Sequence, residues 1–311
     1  MSRPDTAPLT CGGDAATAQY WLSRLARFDP NFDQVQSHCE ARKRERSDAA
    51  ARHVLHVTTA PGGELCDLLG RERCPRDIGA RPVMLVLGHG DDRPGNEMNT
   101  LASFDVVRGS GADGIECDVR RTADDVVVVI HDYELPDGRL ISATHWCDLP
   151  PEIPRLDEAL DRCHGLLVNI EIKNFLRDAA FDPTERITEL VLDLLAKRND
   201  RDKTIISCFG FGSLDLVRAQ APHIPTAVLC LSRRPADELL DEVVEHGHAI
   251  VHPYDTMVDR VFMKEAHQRS LSVNVWVGQR LGDVRLEQLI NLRVDGIITD
   301  EPVRVLRTGG R

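Results

Sequence analysis

Residues 114–119 read Gly114-Ile115-Glu116-Cys117-Asp118-Val119, and residues 167–173 read Leu167-Val168-Asn169-Ile170-Glu171-Ile172-Lys173. Both runs have the composition of a strand buried on two faces, as in a parallel sheet, yet each ends in charge. Side chains at i and i+2 of a strand point to the same side, so Glu116 and Asp118 converge, as do Glu171 and Lys173. Carboxylates held that close repel one another and are costly to bury, and a bound cation resolves both problems. A salt-bridged strand end is the plainer reading of any one of these residues. Three carboxylates at the C-terminal ends of two neighbouring strands point instead to chemistry, because barrel enzymes place their active sites there.

Outward from these two runs, short β-branched segments alternate with segments of helical period. The strands fall at 84–88, 114–119, 167–173, 204–209, 226–231, 249–252, 272–277 and 296–299. Helical stretches lie between most of them. One opens at Pro183 after Asp182, with Ile187, Leu190, Val191 and Leu194 on its inner face; Leu156, Ala159, Leu160 and Cys163 mark a shorter one, and 284–292 the last. Eight strands alternating with helices over roughly 230 residues predict an α/β fold, a TIM (β/α)8 barrel, ahead of an open doubly wound sheet. The barrel is expected over residues 82–311. Residues 1–81 are expected to be an N-terminal extension, mostly helical or irregular, with a helix predicted over 14–28 and a charged stretch at 40–46.

Two histidines join the acids. Residues 119–122 and 126–130 are both strand-like and flank Ala123-Asp124-Asp125, which predicts a β-hairpin over the C-terminal face of the barrel. A tight turn centred between Asp124 and Asp125 sets His131 opposite Asp118 and on the same face as Glu116. A slip of one residue turns His131 to the other side. His89 closes the first strand between Gly88 and Gly90, which let a ligand approach the backbone. Oxygen ligands suit a hard cation, Mg2+ or Ca2+. Imidazoles suit proton transfer, and Lys173 suits a phosphate oxygen. His246, His248 and His252 cluster near a strand and read as structural, with His252 alone close enough to the strand's C-terminal end to reach the site. Asp300 reads as a brace of the last strand.

The bulk composition narrows the function. The 311 residues carry a formal charge of -12, which argues against binding nucleic acid phosphates without regard to sequence. No apolar run reaches the length of a transmembrane helix. Residues 1–10 are polar, without the basic start and apolar stretch of a secretory leader. The nine cysteines are scattered with no C-x-x-C pair, so neither a zinc nor a disulfide framework is indicated. The expectation is a cytoplasmic protein with thiols used as small apolar residues. No motif sets an oligomeric state.

From about Leu85 to Pro302 the sequence resembles the glycerophosphodiester phosphodiesterase family. The resemblance is carried by Gly111-Ala-Asp-Gly-Ile-Glu116-Cys-Asp118-Val, by His131-Asp132, by Glu171-Ile172-Lys173, by Val273-Asn-Val-Trp276, and by Gly296-Ile-Ile-Thr-Asp300-Glu-Pro302. It implies that Glu116, Asp118 and Glu171 bind the divalent cation and that His89 and His131 are the general acid and base. It implies further that Lys173 holds the phosphate and that Trp276 lines the substrate mouth. Two positions depart from the family pattern. The family's His-Arg-Gly is here His89-Gly90-Asp91, with Arg93 as the stand-in for the missing arginine. The glutamate of its Pro-Glu-Asn-Thr is Met98, with Glu97 beside it. Both changes touch phosphate and substrate handling and leave the metal-binding acids intact.

The expected activity is metal-dependent cleavage of a small glycerophosphodiester-like molecule by paired histidines. Two other readings stand beside it. One is a phospholipase D-like lyase that releases a cyclic phosphate from the same barrel, and the other is a non-catalytic barrel that binds a phosphorylated ligand.

Overall fold

The computed structural model describes residues 84–89, 98–198, 203–278 and 281–311. The N-terminal extension over 1–81, with its expected helix over 14–28 and charged stretch over 40–46, lies outside the described residues, as do Arg93 and Glu97. The strands are β1 (Leu85–Gly88), β2 (Gly114–Arg121), β3 (Val127–Val129), β4 (Leu167–Ile172), β5 (Thr204–Cys208), β6 (Thr226–Cys230), β7 (Ile250–Pro253), β8 (Ser272–Trp276) and β9 (Gly296–Thr299). The helices are α1 (Leu101–Ser110), α2 (Leu156–Arg162), α3 (Arg186–Ala196), α4 (Phe211–Gln220), α5 (Ala236–Glu245), α6 (Arg260–Gln268), α7 (Asp283–Leu292) and α8 (Pro302–Thr308). All the strands except β3 are parallel, in the order β1-β9-β8-β7-β6-β5-β4-β2, and β1 pairs back to β2 to close a TIM barrel.

Two apolar layers hold the barrel. The larger lies between strands and helices and includes Ile115, Ile170, Ile206, Leu214, Val251 and Leu286. The smaller fills the barrel's base with Leu85, Leu87, Leu167, Ile205, Ala227, Ile250 and Ile298. Strand residues alternate between the two layers, as the pleat requires. In α3 the inner face is Ile187, Thr188, Val191, Leu192 and Leu195. Leu190 and Leu194, expected there, are only partly buried, because the face is rotated from the sequence estimate. The α1 helix starts at Thr100, whose hydroxyl accepts from the Ser103 amide, and stops at Gly111 in the left-handed region with φ 82°.

The hairpin forms, with a register one residue from the tight-turn expectation. Val119 pairs with Val129 and Arg121 with Val127, and the Ile130 amide donates to the Asp118 carbonyl at 2.9 Å. Asp118 therefore stands opposite Ile130 and not His131. The cause is Asp125, which adopts φ 60° and adds a third residue to the turn. Aspartate tolerates this conformation, and here Arg121 and Arg186 pair with its carboxylate. β3 ends at Val129, so His131 lies beyond the ladder, where strand alternation no longer sets its direction. Beyond the hairpin, Val128, Leu135, Ile141 and Leu149 make a small core of their own.

Gly114 sits where β1, β2 and β4 meet, paired with Leu87 on one side and Leu167 on the other. A methyl group there would run into the Leu167 carbonyl oxygen and come within 2.8 Å of Leu87. We expect Gly114→Ala to destabilise the fold by about 1–3 kcal/mol in urea unfolding, as overpacking does. A change within about 0.5 kcal/mol would mean that the barrel base opens freely at this point.

Candidate active site

The barrel brings its charged residues to one end. Glu116 and Asp118 face inward from β2, and Glu171 lies on the neighbouring β4, in register with Asp118. Lys173 follows one step beyond β4. His89 leaves β1 with its amide donating to the Thr299 carbonyl at 3.0 Å, which sets it beside Asp300 at the end of β9. His89 Nε2 lies 3.2 Å from Glu116 Oε2 and 3.1 Å from Asp118 Oδ2, and its Nδ1 is 3.2 Å from Asp300 Oδ1. Lys173 Nζ is 2.8 Å from Asp118 Oδ1 and also pairs with Glu171. The lysine thus lies between two of the acids. Asn99 clamps Asp118 twice: its Nδ2 donates to Oδ2 at 2.8 Å, and its Oδ1 accepts from the Asp118 amide at 3.0 Å. All three acids are buried.

Burial and crowding sort the charges. Burial pushes the Glu116 carboxyl well above the usual range, and the Asp118 and Glu171 carboxylates add to it while His89 opposes. Burial raises Glu171 as well, against the pull of Lys173. Asp118 goes the other way. Burial alone would raise it, but the Lys173 ammonium and the hydrogen bond from His89 hold it well below its ordinary value. For His89, burial opposes the charge and the surrounding Glu116, Asp118 and Asp300 carboxylates outweigh it, so its value is raised. Glu116 Oε1 is buried with no hydrogen-bond partner. An orphaned carboxylate oxygen among acids is what a cation would satisfy, and the oxygen-rich donor set fits a hard divalent ion. His89, Glu116 and Asp118 present ligand atoms within 4.8 Å of one another.

His131 lies close by despite the shifted register. Its imidazole contributes to lowering both Asp118 and Glu171. Its Nδ1 is 2.8 Å from Asp132 Oδ1, and its carbonyl accepts from Arg120 Nε at 2.8 Å. Arg120 is in turn fixed by a buried pair with Asp178 at 2.7 Å. Trp276 ends β8 in an aromatic rim, 4.5 Å from the Tyr254 ring and 6.2 Å from Phe209, with Phe175 5.5 Å beyond Phe209.

Strand pattern and spacing give no site role to Asp300, Asn99, Arg120 or the aromatics beside Trp276. Asp300 carried a signal, an acid at a strand's C-terminal end, but only barrel closure sets it against His89. His252 does not reach the mouth. It is fully buried inside the barrel, 3.2 Å from Asn274 Nδ2.

Fold and site together define a barrel enzyme with an acidic, imidazole-containing centre at the C-terminal mouth. Residues 88–304 match the model of the glycerophosphoryl diester phosphodiesterase family, and the chain belongs to that family of phosphoric diester hydrolases. A glycerophosphodiester phosphodiesterase of Caldanaerobacter subterraneus is 29% identical over 257 residues, spanning 73% of this chain and 99% of the relative. A second, from Bacillus altitudinis, is 28% identical and spans 67% of this chain and 91% of its own length. Among solved structures, a putative glycerophosphoryl diester phosphodiesterase from Silicibacter pomeroyi aligns with TM-score 0.66 and 24% identity, over 79% of this chain and 97% of that one. An Oleispira antarctica phosphodiesterase in complex with its product sn-glycerol-3-phosphate aligns with TM-score 0.63 and 20% identity, over 73% and 96%. At these identities the structural likeness speaks to the fold alone.

Burial drives His252 down to about 3, so it is a neutral core group. An unfolded histidine titrates near ~6.5, so the unfolded chain takes the proton first. The stability that neutral His252 contributes is complete above that value and is lost as the pH falls from it towards 3. We expect the urea-unfolding free energy of the wild type to fall faster than that of His252→Gln between roughly pH 6.5 and 5, by at most ~1.4 kcal/mol per pH unit. Identical slopes would mean that water solvates the ring in the folded protein.

Proposed function

We propose that the chain cleaves a small glycerophosphodiester-like molecule, with Glu116, Asp118 and Glu171 holding Mg2+ or Ca2+ and with His89 and His131 moving protons. The observation that carries this reading is the buried acid cluster at the barrel mouth, with Glu116 Oε1 left unsatisfied among other carboxyl groups. A divalent cation held by these acids would supply positive charge to stabilise the phosphate as charge develops on it.

The chain's own residues do the rest. Asn99 fixes the orientation of Asp118. Asp300 holds His89 by Nδ1 and keeps Nε2 turned to the acids and the mouth. Arg120 anchors the loop that carries His131 through its carbonyl. One imidazole takes the proton of the attacking hydroxyl, and the other returns one to the leaving alkoxide. In a glycerol-like substrate the attacking group is the neighbouring hydroxyl, and water then opens the cyclic phosphate. Lys173 serves a phosphate oxygen, and the Trp276 rim receives the apolar edge of the alcohol. The family match and the relatives named as glycerophosphodiester phosphodiesterases support the choice of substrate class. Family membership favours hydrolysis over a lyase or a non-catalytic barrel.

Among the described residues no helix is long and apolar enough to cross a membrane. Cys117, Cys147, Cys163, Cys208 and Cys230 are free thiols, which supports a reducing, cytoplasmic setting.

We expect His131→Ala to lower turnover of glycerophosphodiesters by ~10²–10⁴-fold while the thermal midpoint stays near that of the wild type. Unchanged turnover would remove His131 from the mechanism. Chelation with EDTA should abolish activity and added Mg2+ or Ca2+ restore it, read by phosphorus NMR of the product. Full activity in EDTA would defeat the proposed role of the three acids.

A further inference from the structure

A second group of ligand-type side chains lies at the opposite end of the barrel, on its outer wall. Asp215 projects from α4, and His246 and His248 come from the turn that joins α5 to β7. His246 Nδ1 is 2.9 Å from Asp215 Oδ2, and His248 Nε2 is 3.4 Å from Asp215 Oδ1. One ligand atom from each lies within 4.8 Å of the other two. Thr226, which supplies the remaining contact, is the first residue of β6, so the group sits at the strands' N-terminal ends, away from the acids at the mouth.

The decisive atom is His248 Nε2. The His248 side chain is 0% exposed, and its Nε2 makes no short hydrogen bond, with the Asp215 carboxylate as a long contact at 3.4 Å. Its other nitrogen, Nδ1, is occupied by Thr226 Oγ1 at 2.8 Å. If Nδ1 carries the proton, the Nε2 lone pair faces a carboxylate oxygen. If Nε2 carries it, the N–H has only the long 3.4 Å contact with the carboxylate. Neither tautomer gives Nε2 a short bond. A cation between Nε2 and the carboxylate removes the conflict, and Thr226 then plays the orienting part that an outer hydrogen bond plays for a metal-bound imidazole.

The geometry points to a divalent transition-metal site of the zinc type, formed by Asp215, His246 and His248 and separate from the catalytic mouth. Tetrahedral zinc with bonds of about 2.0–2.1 Å sets its ligand atoms roughly 3.3 Å apart. His246 Nδ1 and His248 Nε2 lie 3.0 and 3.4 Å from the same oxygen, Asp215 Oδ1, and these separations bracket that spacing. Two imidazoles and one carboxylate select zinc, cobalt or nickel over Mg2+ or Ca2+, which take oxygen ligands. The ring planes are already set. Phe211 stacks on His246 with centroids 4.0 Å apart and planes 15° from parallel, and the two imidazoles lie 8° from parallel. The Asp215 side chain is 43% exposed, so an ion can enter from solvent and keep water in a remaining position. Arg218 donates to the His246 carbonyl and so is tied to the backbone side of the turn.

The test uses the full chain, with Glu116→Gln and Asp118→Asn disabling the mouth and bound metal first removed by a chelator. Co2+ is then added to record its visible spectrum, and Zn2+ to record the thermal midpoint. We expect intense tetrahedral-type Co2+ bands and a Zn2+-dependent rise in midpoint. Adding Asp215→Asn or His246→Gln should abolish the bands and weaken Zn2+ binding at least tenfold. The midpoint without metal reports whether each variant folds, and Asp215→Asn, on a half-exposed side chain, carries the comparison if the histidine variant does not. Spectra and Zn2+ shifts that are the same with and without Asp215→Asn would overturn the site, as would the absence of both in the parent. Comparing parent with variant also separates this site from thiols and imidazoles elsewhere in the chain.

Discussion

The structure turns on the confinement of three carboxyl groups that repel one another. Glu116 and Asp118 belong to one strand and Glu171 to the next, and β2 and β4 are locked residue by residue from Gly114–Leu167 to Val119–Ile172. The acids cannot separate without breaking the sheet. Two unit charges about 4 Å apart repel by roughly 4 kcal/mol at the dielectric typical of protein sites, so the arrangement holds only with positive charge among them. In the chain alone that charge comes from Lys173 and from His89. They do not serve the acids equally. Asp118 lies between Lys173, His89 and Asn99 and stays ionised, whereas burial and its neighbours drive Glu116 towards its neutral form. The barrel thus makes a centre with an unmet need for cationic charge, and its framework is too stiff to relax that need away.

That centre was legible in the sequence because a parallel barrel writes its strands as apolar runs, and charge inside such a run stands out. The starts of β2, β4, β5, β6, β8 and β9 fall where the β-branched runs begin. The convergence of Glu116 with Asp118 follows from strand alternation alone. The hairpin register does not, because Ala123-Asp124-Asp125 has the composition of a turn with either two or three loop residues. The choice rests on whether Asp125 enters the left-handed region, which Arg121 and Arg186 help to decide from outside the turn. His131 lies near the acids for a different reason from the one strand pairing offered, namely the Arg120–Asp178 pair under its loop. Asp300 showed only as an acid at a strand end and Asn99 not at all, since each acquires its partner only in the folded barrel. Asp300 meets His89 through the β1–β9 ladder, and Asn99, at φ 63°, reaches Asp118 across α1's entry.

The lumen grades in polarity from base to mouth. Its floor is aliphatic. Above it, Asn169 bonds to Ser207 at 2.9 Å and Asn274 lies 3.2 Å from His252. The ionised groups come last, at the strand ends. This order makes the desolvation of the acids strong, since the layer beneath them offers neutral dipoles and no charge. It also keeps His252 uncharged, so the positive charge in the barrel is concentrated at the mouth where Lys173 and His89 stand.

The outer cluster follows the opposite chemistry, and the contrast bears on how one chain could keep two cations apart. At the mouth the donors are carboxylate oxygens with one imidazole at the edge, crowded by like charge. On the outer wall a single carboxylate faces two imidazoles, both near-parallel to the Phe211 ring. Raw affinity follows the metal series and would not sort the ions, so the sorting must come from donor type. Mg2+ or Ca2+ has little to gain from two neutral nitrogens, whereas a zinc-type ion gains from both. The two positions also lie on different strands and at opposite barrel ends, the acids on β2 and β4 and the imidazoles beside the starts of β6 and β7. A cation on the wall would therefore add no direct charge at the mouth. Its effect would fall on the packing of α4 against the α5–β7 turn, adding to the Asp215–His246 pair, the Arg218 bond to the His246 carbonyl and the Phe211 stack.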